Sequence, residues 1–120
     1  RGLGLDVEQQ LSCERAERLA GEILTEAEMQ RLDGLAAQER AWRISLTFSL
    51  KESLFKALYP LVLTRFYFHE AELLSIDAQQ HTATLRLLQS LSPEWPAGSR
   101  LTGLYSKVAD RLLSLVPIAN

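Results

Sequence analysis

The chain has 120 residues and a formal net charge of −2, and 47% of its residues are hydrophobic while 23% are charged. This composition is ordinary for one globular domain with a modest core, and it shows no excess of positive charge that would favour a nucleic-acid ligand. The single cysteine, Cys13, excludes an intramolecular disulfide, and no Cys/His cluster indicates zinc. With this cysteine usage, a reducing, cytoplasmic location is the default expectation. No apolar run reaches the ~18 residues of a membrane span.

The first predicted element is a short strand from Leu3 to Val7, where apolar residues alternate with polar ones. Residues two apart in a strand face the same side, so Asp6 and Glu8 project together. Two neighbouring carboxylates suit Mg²⁺, which prefers oxygen ligands and is held by one or two carboxylates plus substrate phosphates. The alternative is an acidic edge strand that faces solvent.

Helices are predicted next. Apolar residues recur at helical spacing from Leu11 to Leu24. Thr25 and Glu28 form a capping box, which predicts a second short helix that ends near Gly34. A further helical turn is expected from Ala36 to Arg43.

A second capping box, made by Ser49 and Glu52, predicts a new helix that runs to Leu58 or Tyr59, just before Pro60. Segment 61–67 is expected to continue as helix or turn.

That predicted helix carries an acid and two bases in its first turns. Glu52 and Lys56 are four apart and share one face, and Lys51 lies beside them. The free N–H groups of a helix N-terminus would also favour a phosphate. The alternative is an ordinary capping box with a Glu52–Lys56 surface ion pair.

The second half of the chain reads as strands. Strands are predicted at 71–77, 82–88 and 101–106, with a hairpin loop at 78–81 and a Pro/Gly-rich turn at 92–98. Segment 108–116 could be a last strand or a helix, since its apolar positions fit neither period well. The expected fold class is α+β, with an antiparallel sheet packed against helices.

Two segments together resemble the signatures of the 4′-phosphopantetheinyl transferase superfamily. Gly4-Leu5-Asp6-Val7-Glu8 is similar to its Gly-x-Asp-x-Glu motif, and Phe48-Ser49-Leu50-Lys51-Glu52-Ser53-Leu54-Phe55-Lys56-Ala57 is similar to its aromatic-Ser-x-Lys-Glu-small-x-x-Lys-Ala motif. Leu58-Tyr59-Pro60-Leu61 and Phe66-Tyr67-Phe68-His69-Glu70-Ala71 further resemble the enterobactin-synthetase component D type.

The resemblance implies a reaction in which coenzyme A donates its 4′-phosphopantetheine arm to a serine of an apo carrier protein and 3′,5′-ADP leaves. It implies that Asp6, Glu8 and Glu52 bind Mg²⁺ on the pyrophosphate. It also implies that Glu52 is a candidate base toward the serine and that Lys56 neutralises charge on the bridging or leaving oxygens, with Lys51 as a further phosphate contact.

Members of the component D type have two similar halves that bind coenzyme A between them. We expect residues 1–120 to be a single domain that forms the C-terminal half of such an enzyme, with an upstream half or a homo-oligomer completing the pocket. The length also suits the single-domain carrier-protein synthases. The expected partners are coenzyme A and an acidic carrier protein from siderophore or other secondary-metabolite assembly, and its candidate contacts are Arg31, Arg40, Arg43 and Arg65.

Two other functions remain open at this point. One is a non-catalytic half that completes an interface and binds a partner chain. The other is an unrelated Mg²⁺-dependent phosphohydrolase, which would release inorganic phosphate instead of 3′,5′-ADP.

Overall fold

The computed structural model describes residues 2–118. Within these residues, five strands form one antiparallel sheet in the order β1-β5-β4-β3-β2. Strand β1 therefore forms one edge of the sheet and β2 the other, and β3, β4 and β5 follow in chain order from β2 back to β1. The strands are β1 (Gly2–Gln9), β2 (Ala71–Asp77), β3 (Thr82–Leu87), β4 (Arg100–Val108) and β5 (Arg111–Ile118).

Within residues 2–118, three α-helices separate β1 from the other strands; α3 covers one face of the sheet, and α1 packs against α3. They are α1 (Cys13–Ile23), α2 (Glu26–Gln30) and α3 (Ala37–Val62), and a single 3₁₀ turn at Phe68–Glu70 leads into β2. The main core lies between α3 and the sheet, and a second cluster joins α1 to the first half of α3. The predicted α+β class is confirmed. None of the helices within residues 2–118 combines the length and hydrophobicity needed to cross a bilayer.

Helix α3 corrects the prediction of a new helix at Ser49. The predicted turn at 36–43 and the predicted helix at 49–59 are one continuous helix of 26 residues. Ser49 does not cap a helix, because its hydroxyl is buried and hydrogen-bonded to Asp6 on β1. The backbone N–H groups at 49–52 lie inside the helix, so the predicted anion site at a helix N-terminus is wrong.

Pro60 lies inside α3 instead of ending it. Proline removes one hydrogen bond at this point, and the helix continues for only two more residues. It ends where Leu63 adopts a left-handed conformation (φ 54°) and donates its N–H to the Tyr59 carbonyl oxygen.

Most of the other element predictions are confirmed within a few residues. The Thr25–Glu28 capping box is present, although α2 ends at Gln30 and turns fill the segment up to Gly34. Most of the open segment at 108–116 is strand: Val108 ends β4, residues 109–110 turn, and residues 111–116 belong to β5, which pairs with both β1 and β4. The inward side chains of β5 pack against α3, and the local periodicity of the sequence does not predict this contact.

Gly4 explains why α3 lies so close to β1. A Cβ atom at this position would stand 1.7 Å from the Ser53 carbonyl oxygen and 2.7 Å from the Ala57 nitrogen. Only glycine allows this approach, since real Cβ atoms do not enter such distances. The glycine of the first motif therefore sets the distance between the strand that carries Asp6 and the helix that carries Ser49 and Lys56.

Candidate functional site

The inward face of β1 carries the acidic residues of the first motif. Gly4 and Asp6 are buried against α3 and Glu8 is half-buried, whereas Leu3, Leu5 and Val7 are exposed on the outer face. The predicted alternation is confirmed. Asp6 and Glu8 therefore stand on the side of the strand that meets the second motif.

Asp6 is the centre of this contact. Its side chain is 3% exposed, and Oδ1 accepts a hydrogen bond from Lys56 Nζ at 3.0 Å. Its Oδ2 accepts a second hydrogen bond from Ser49 Oγ at 2.9 Å. Lys56 also donates to the Leu5 carbonyl oxygen at 3.3 Å. The ion pair of Lys56 thus joins the two motifs, and it replaces the predicted Glu52–Lys56 surface pair.

Negative charge accumulates around this ion pair. Partial burial, a hydrogen bond with Asp6 and the charges of Asp6 and Glu52 raise the pKa of Glu8 to about 7, although Lys56 opposes the shift. Burial and the charge of Asp6 also raise the pKa of Glu52, again against Lys56. The three carboxyl groups therefore repel one another, and Lys56 is the one ammonium group that attracts all of them.

The pKa of Lys56 is raised as well. Its hydrogen bond to Asp6 makes the largest contribution, and the charges of Glu52 and Glu8 add to it. The cationic form of Lys56 is favoured by all three acids, and its side chain remains 52% exposed. A charged group that is held in place and still reaches solvent is suited to contact an anionic ligand.

The donor set suits Mg²⁺ in its chemistry. Hard carboxylate oxygens with excess negative charge attract a divalent cation, and Mg²⁺ needs only one or two protein carboxylates when substrate phosphates and water complete its shell. Within residues 2–118, however, no three His, Cys, Asp or Glu side chains are already arranged as a metal-binding group. Lys56 occupies the open oxygen of Asp6, so a cation would have to share or displace this contact.

Lys51 is not brought to this cluster. Its side chain is 0% exposed and points to the other side of α3. Its ammonium group donates to Glu28 Oε1 and to the carbonyl oxygens of Ile23 and Phe68, each at 2.8 Å. Burial lowers the pKa of Lys51, against the charge and hydrogen bond of Glu28. All three ammonium protons are used inside the fold, so this position does not support the predicted phosphate contact.

Three serines behind Asp6 were not identified as site residues from the sequence. Ser49 and Ser53 lie one turn apart on α3, and Ser114 lies opposite Asp6 in the β1–β5 register. All three are at most 1% exposed. A signal for Ser114 existed, since it is the only polar residue among the inward positions Leu112, Ser114, Val116 and Ile118 of β5.

A groove of about 460 Å³ opens beside Glu52. Its other lining residues are Phe55, Tyr59, Arg65 and Phe66. Arg65 is exposed and has no ion-pair partner among residues 2–118, so its charge is available to a ligand.

The other three arginines predicted as carrier-protein contacts are already paired within the chain. Arg31 binds Glu72, Arg40 binds Glu17 and Arg43 binds Glu39.

Comparisons with known proteins agree with this architecture. A family model described as the 4′-phosphopantetheinyl transferase superfamily matches residues 2–109. A search of curated protein sequences found no match to the chain.

Solved structures provide the remaining comparisons. A holo-[acyl-carrier-protein] synthase from Thermotoga maritima is 27% identical, with a TM-score of 0.68 over 96% of this chain and 61% of that chain. A holo-ACP synthase from Plasmodium yoelii is 15% identical, with a TM-score of 0.69 over 96% and 91%. A holo-(acyl-carrier-protein) synthase from Bacillus anthracis, in complex with CoA (3′,5′-ADP), is 17% identical, with a TM-score of 0.59 over 96% and 92%.

Proposed function

The chain belongs to the 4′-phosphopantetheinyl transferase superfamily, and from this premise we propose that it transfers the 4′-phosphopantetheine arm of coenzyme A to a serine of an apo carrier protein. The observation that carries the proposal is the charge-coupled group of Asp6, Glu8, Glu52 and Lys56. The coenzyme A (3′,5′-ADP) bound to the Bacillus anthracis protein of the same fold supports the choice of donor.

In this reaction the serine oxygen of the carrier forms a bond to the β-phosphorus of coenzyme A. The bond between that phosphorus and the bridging oxygen breaks, and 3′,5′-ADP leaves with the bridging oxygen. Glu52 accepts the serine proton, directly or through water, and its raised pKa brings it closer to the operating pH of a general base. Lys56 stabilises the charge that develops on the leaving oxygen.

Asp6, Glu8 and Glu52 would hold Mg²⁺, which supplies neutralisation of the pyrophosphate charge when it is bound. The raised pKa of Glu8 supports this assignment, because a divalent cation relieves the repulsion among the three carboxylates. Lys51 has no part in the proposed chemistry. We assign it to the fold instead, since its three donors are already used.

The groove beside Glu52 is where we place the substrate that approaches the carboxylate cluster. Arg65 offers an unpaired charge there, and Phe55 and Tyr59 offer aromatic surface. An acidic carrier protein from siderophore or other secondary-metabolite assembly would suit this guanidinium group, and a cytoplasmic location would suit the use of coenzyme A. Both remain proposals.

The test is transfer by the purified chain. The chain is incubated with coenzyme A, Mg²⁺ and a panel of apo carrier proteins, and intact-mass measurement follows the addition of one phosphopantetheine per carrier. Formation of holo carrier together with equimolar 3′,5′-ADP is the expected result. Release of inorganic phosphate would indicate a phosphohydrolase, and neither product from a folded, metal-binding chain would indicate a non-catalytic binding half.

We also propose that the outer face of the sheet is covered by a second copy of this chain. Leu3, Leu5, Val7, Leu104 and Val108 are exposed there. Nothing charged separates them along β1, and an apolar patch of this kind favours self-association.

Light scattering tests this assembly, with Leu104→Glu as the disrupting variant and Leu63→Glu as its control. Leu63 is 74% exposed and follows the end of α3. A dimer or trimer that only Leu104→Glu dissociates supports the proposal. A monomer with full activity contradicts it, and a monomer that becomes active only with a separate upstream half would favour the two-half architecture.

A further inference from the structure

We infer that Ser49 is a positioning residue for Asp6, and that Ser114 and Ser53 support it in a continuous chain of buried hydroxyl groups. The inference rests on the proposed function, in which Asp6 binds the cation. The chain of contacts runs from Ser53 Oγ to Ser114 Oγ at 2.6 Å, then to Ser49 Oγ at 2.7 Å, and ends at Asp6 Oδ2 at 2.9 Å.

The direction of the hydrogen bonds follows from counting protons. An ionised carboxylate only accepts, so the single hydroxyl proton of Ser49 is donated to Asp6. Ser49 Oγ can therefore only accept from Ser114, whose proton also lies within reach of the Ser49 carbonyl oxygen at 2.9 Å. Ser53 in turn donates to Ser114, at its hydroxyl or at its carbonyl oxygen. Ser49 thus donates to Asp6, Ser114 donates to the hydroxyl or carbonyl oxygen of Ser49, and Ser53 donates to Ser114.

This arrangement treats the two oxygens of Asp6 differently. Oδ2 is held from behind by a hydroxyl group that is fully buried, while Oδ1 faces Lys56 at the open side of the cluster. A hydrogen bond to a charged acceptor is stronger than one between neutral groups, so Ser49 fixes the rotation of the carboxylate. One oxygen is thereby aimed at the place where a cation or a phosphate would arrive.

A purely structural role does not explain why these three buried positions are serines. The inward positions of α3 and β5 around them are filled by Leu50, Leu54, Leu112 and Val116, and apolar residues would pack there without needing partners. Ser49 touches Asp6 directly, and Ser114 and Ser53 reach it through Ser49, so the three hydroxyl groups form one hydrogen-bonded path that ends at the carboxylate. Residues that orient a metal ligand typically change metal affinity by about 10–100-fold when removed.

Metal binding by the chain alone is the primary test, with Mn²⁺ as the probe and electron paramagnetic resonance of free Mn²⁺ as the readout. Ser49→Ala is expected to weaken Mn²⁺ binding by about 10–100-fold, and Ser114→Ala by less. The matched control is Ser45→Ala. Ser45 lies one turn earlier on α3, is 2% exposed and loses a comparable hydrogen bond, from the Leu11 N–H, without touching Asp6. It should bind Mn²⁺ as the parent does.

Transfer kinetics separate positioning from loss of fold. In Ser49→Ala the metal concentration for half-maximal rate should rise, while the rate at saturating metal returns close to that of the parent. A structural defect would lower the rate at every metal concentration. If Ser49→Ala does not fold, Ser49→Cys takes its place, because it keeps the side-chain shape with a larger atom that is a weaker donor.

The results also distinguish this inference from the proposed function. A parent chain that binds Mn²⁺ but transfers nothing would contradict the transferase proposal, and the serine variants would still be read from Mn²⁺ affinity. Parent-like Mn²⁺ affinity in Ser49→Ala, or equal losses in Ser49→Ala and Ser45→Ala, would overturn the inference. A parent that binds no Mn²⁺ would overturn it as well.

Discussion

Helix α3 holds two charged clusters on different sides, and they differ in whether their charges are balanced. Lys51 and Glu28 form a pair whose side chains are 0% and 5% exposed. Every donor of Lys51 has an acceptor, and Glu28 also accepts from the Thr25 and Leu73 N–H groups. This cluster joins α1, α2 and α3 and offers nothing to a ligand.

The second cluster lies around Asp6, and its charges are not balanced. Three carboxylates share one ammonium group, and the pKa of Glu8 rises to about 7 because of burial and its acidic neighbours. Folding alone does not favour such repulsion, so the cluster is arranged for something that arrives from outside. Perturbed groups of this kind are typical of functional sites. Adjacent residues of one motif, Lys51 and Glu52, therefore serve different purposes.

The largest expected effect comes from breaking the balanced cluster. Lys51→Met leaves Glu28 as an uncompensated buried charge, which should lower the free energy of unfolding by about 3–5 kcal/mol. Urea denaturation followed by circular dichroism measures this, with Lys107→Met on β4 as the control. The double variant Lys51→Met/Glu28→Gln should recover part of the loss, because it removes both charges and leaves an amide oxygen to accept from the Thr25 and Leu73 N–H groups. If Lys51→Met instead leaves stability unchanged and raises the KM for coenzyme A, the phosphate contact predicted from the sequence is correct.

A substitution in the unbalanced cluster should lower the transfer rate strongly and the free energy of unfolding only slightly. Asp6→Asn keeps the shape of the side chain and removes the charge at its centre. The transfer rate should fall by about 10²–10³-fold, which corresponds to roughly 2.7–4 kcal/mol of transition-state stabilisation. Stability should change by only about 1 kcal/mol or less, because a half-exposed ion pair is lost while repulsion with Glu8 and Glu52 is relieved.

The matched control for this prediction is Asp110→Asn. Asp110 is exposed, accepts a hydrogen bond from Gln9 at the C-terminal end of β1 and makes no contact with Asp6. It should keep full transfer activity. A rate in Asp6→Asn close to that of the parent would show that the charge imbalance is incidental to the chemistry.

The difference between the clusters marks the limit of sequence reasoning. The alternation at Gly4 to Glu8 is local, and it placed Asp6 and Glu8 on one face correctly. Lys51 meets a partner 23 positions away on α2, and Ser49 meets Ser114 across 65 positions. Local rules cannot rank such contacts, so Ser49 looked like a helix cap. In the structure Ser49 lies inside α3, and its hydroxyl donates a buried hydrogen bond to Asp6 instead of capping a helix.

Lys56 tests whether the two motifs cooperate. Lys56→Gln shortens the side chain by one bond, keeps an N–H donor at its end and removes the charge that Asp6 holds in place. The transfer rate should fall by about 10²-fold, at the lower end of such effects because the ammonium group is open to water. Stability should change by about 1 kcal/mol or less, as expected for a partly exposed pair. A normal rate with only this small stability change would reduce Lys56 to a structural partner of Asp6.

The smallest expected effect concerns the balanced side of the molecule at low pH. Glu72 is 5% exposed and accepts from Arg31 and Arg86. Burial alone would raise the pKa of Glu72, but the hydrogen bonds and charges of the two arginines outweigh it and hold the pKa below the ordinary value of 4.5. A carboxylate whose pKa is lower in the folded than in the unfolded state makes its full contribution to stability at pH values above the unfolded-state pKa.

That contribution is lost as the pH falls below about 4.5 and passes through the folded-state pKa. Urea midpoints measured between neutral pH and acid should therefore decline more steeply below this point in the parent than in Glu72→Gln, which has no proton to take up. Glu94→Gln, at an exposed turn position, should follow the parent. Identical acid slopes in the parent and Glu72→Gln would show that the two exposed arginines are too well screened by water to stabilise the buried carboxylate. The contrast between a balanced and an unbalanced cluster would then rest on Lys51 and Glu28 alone.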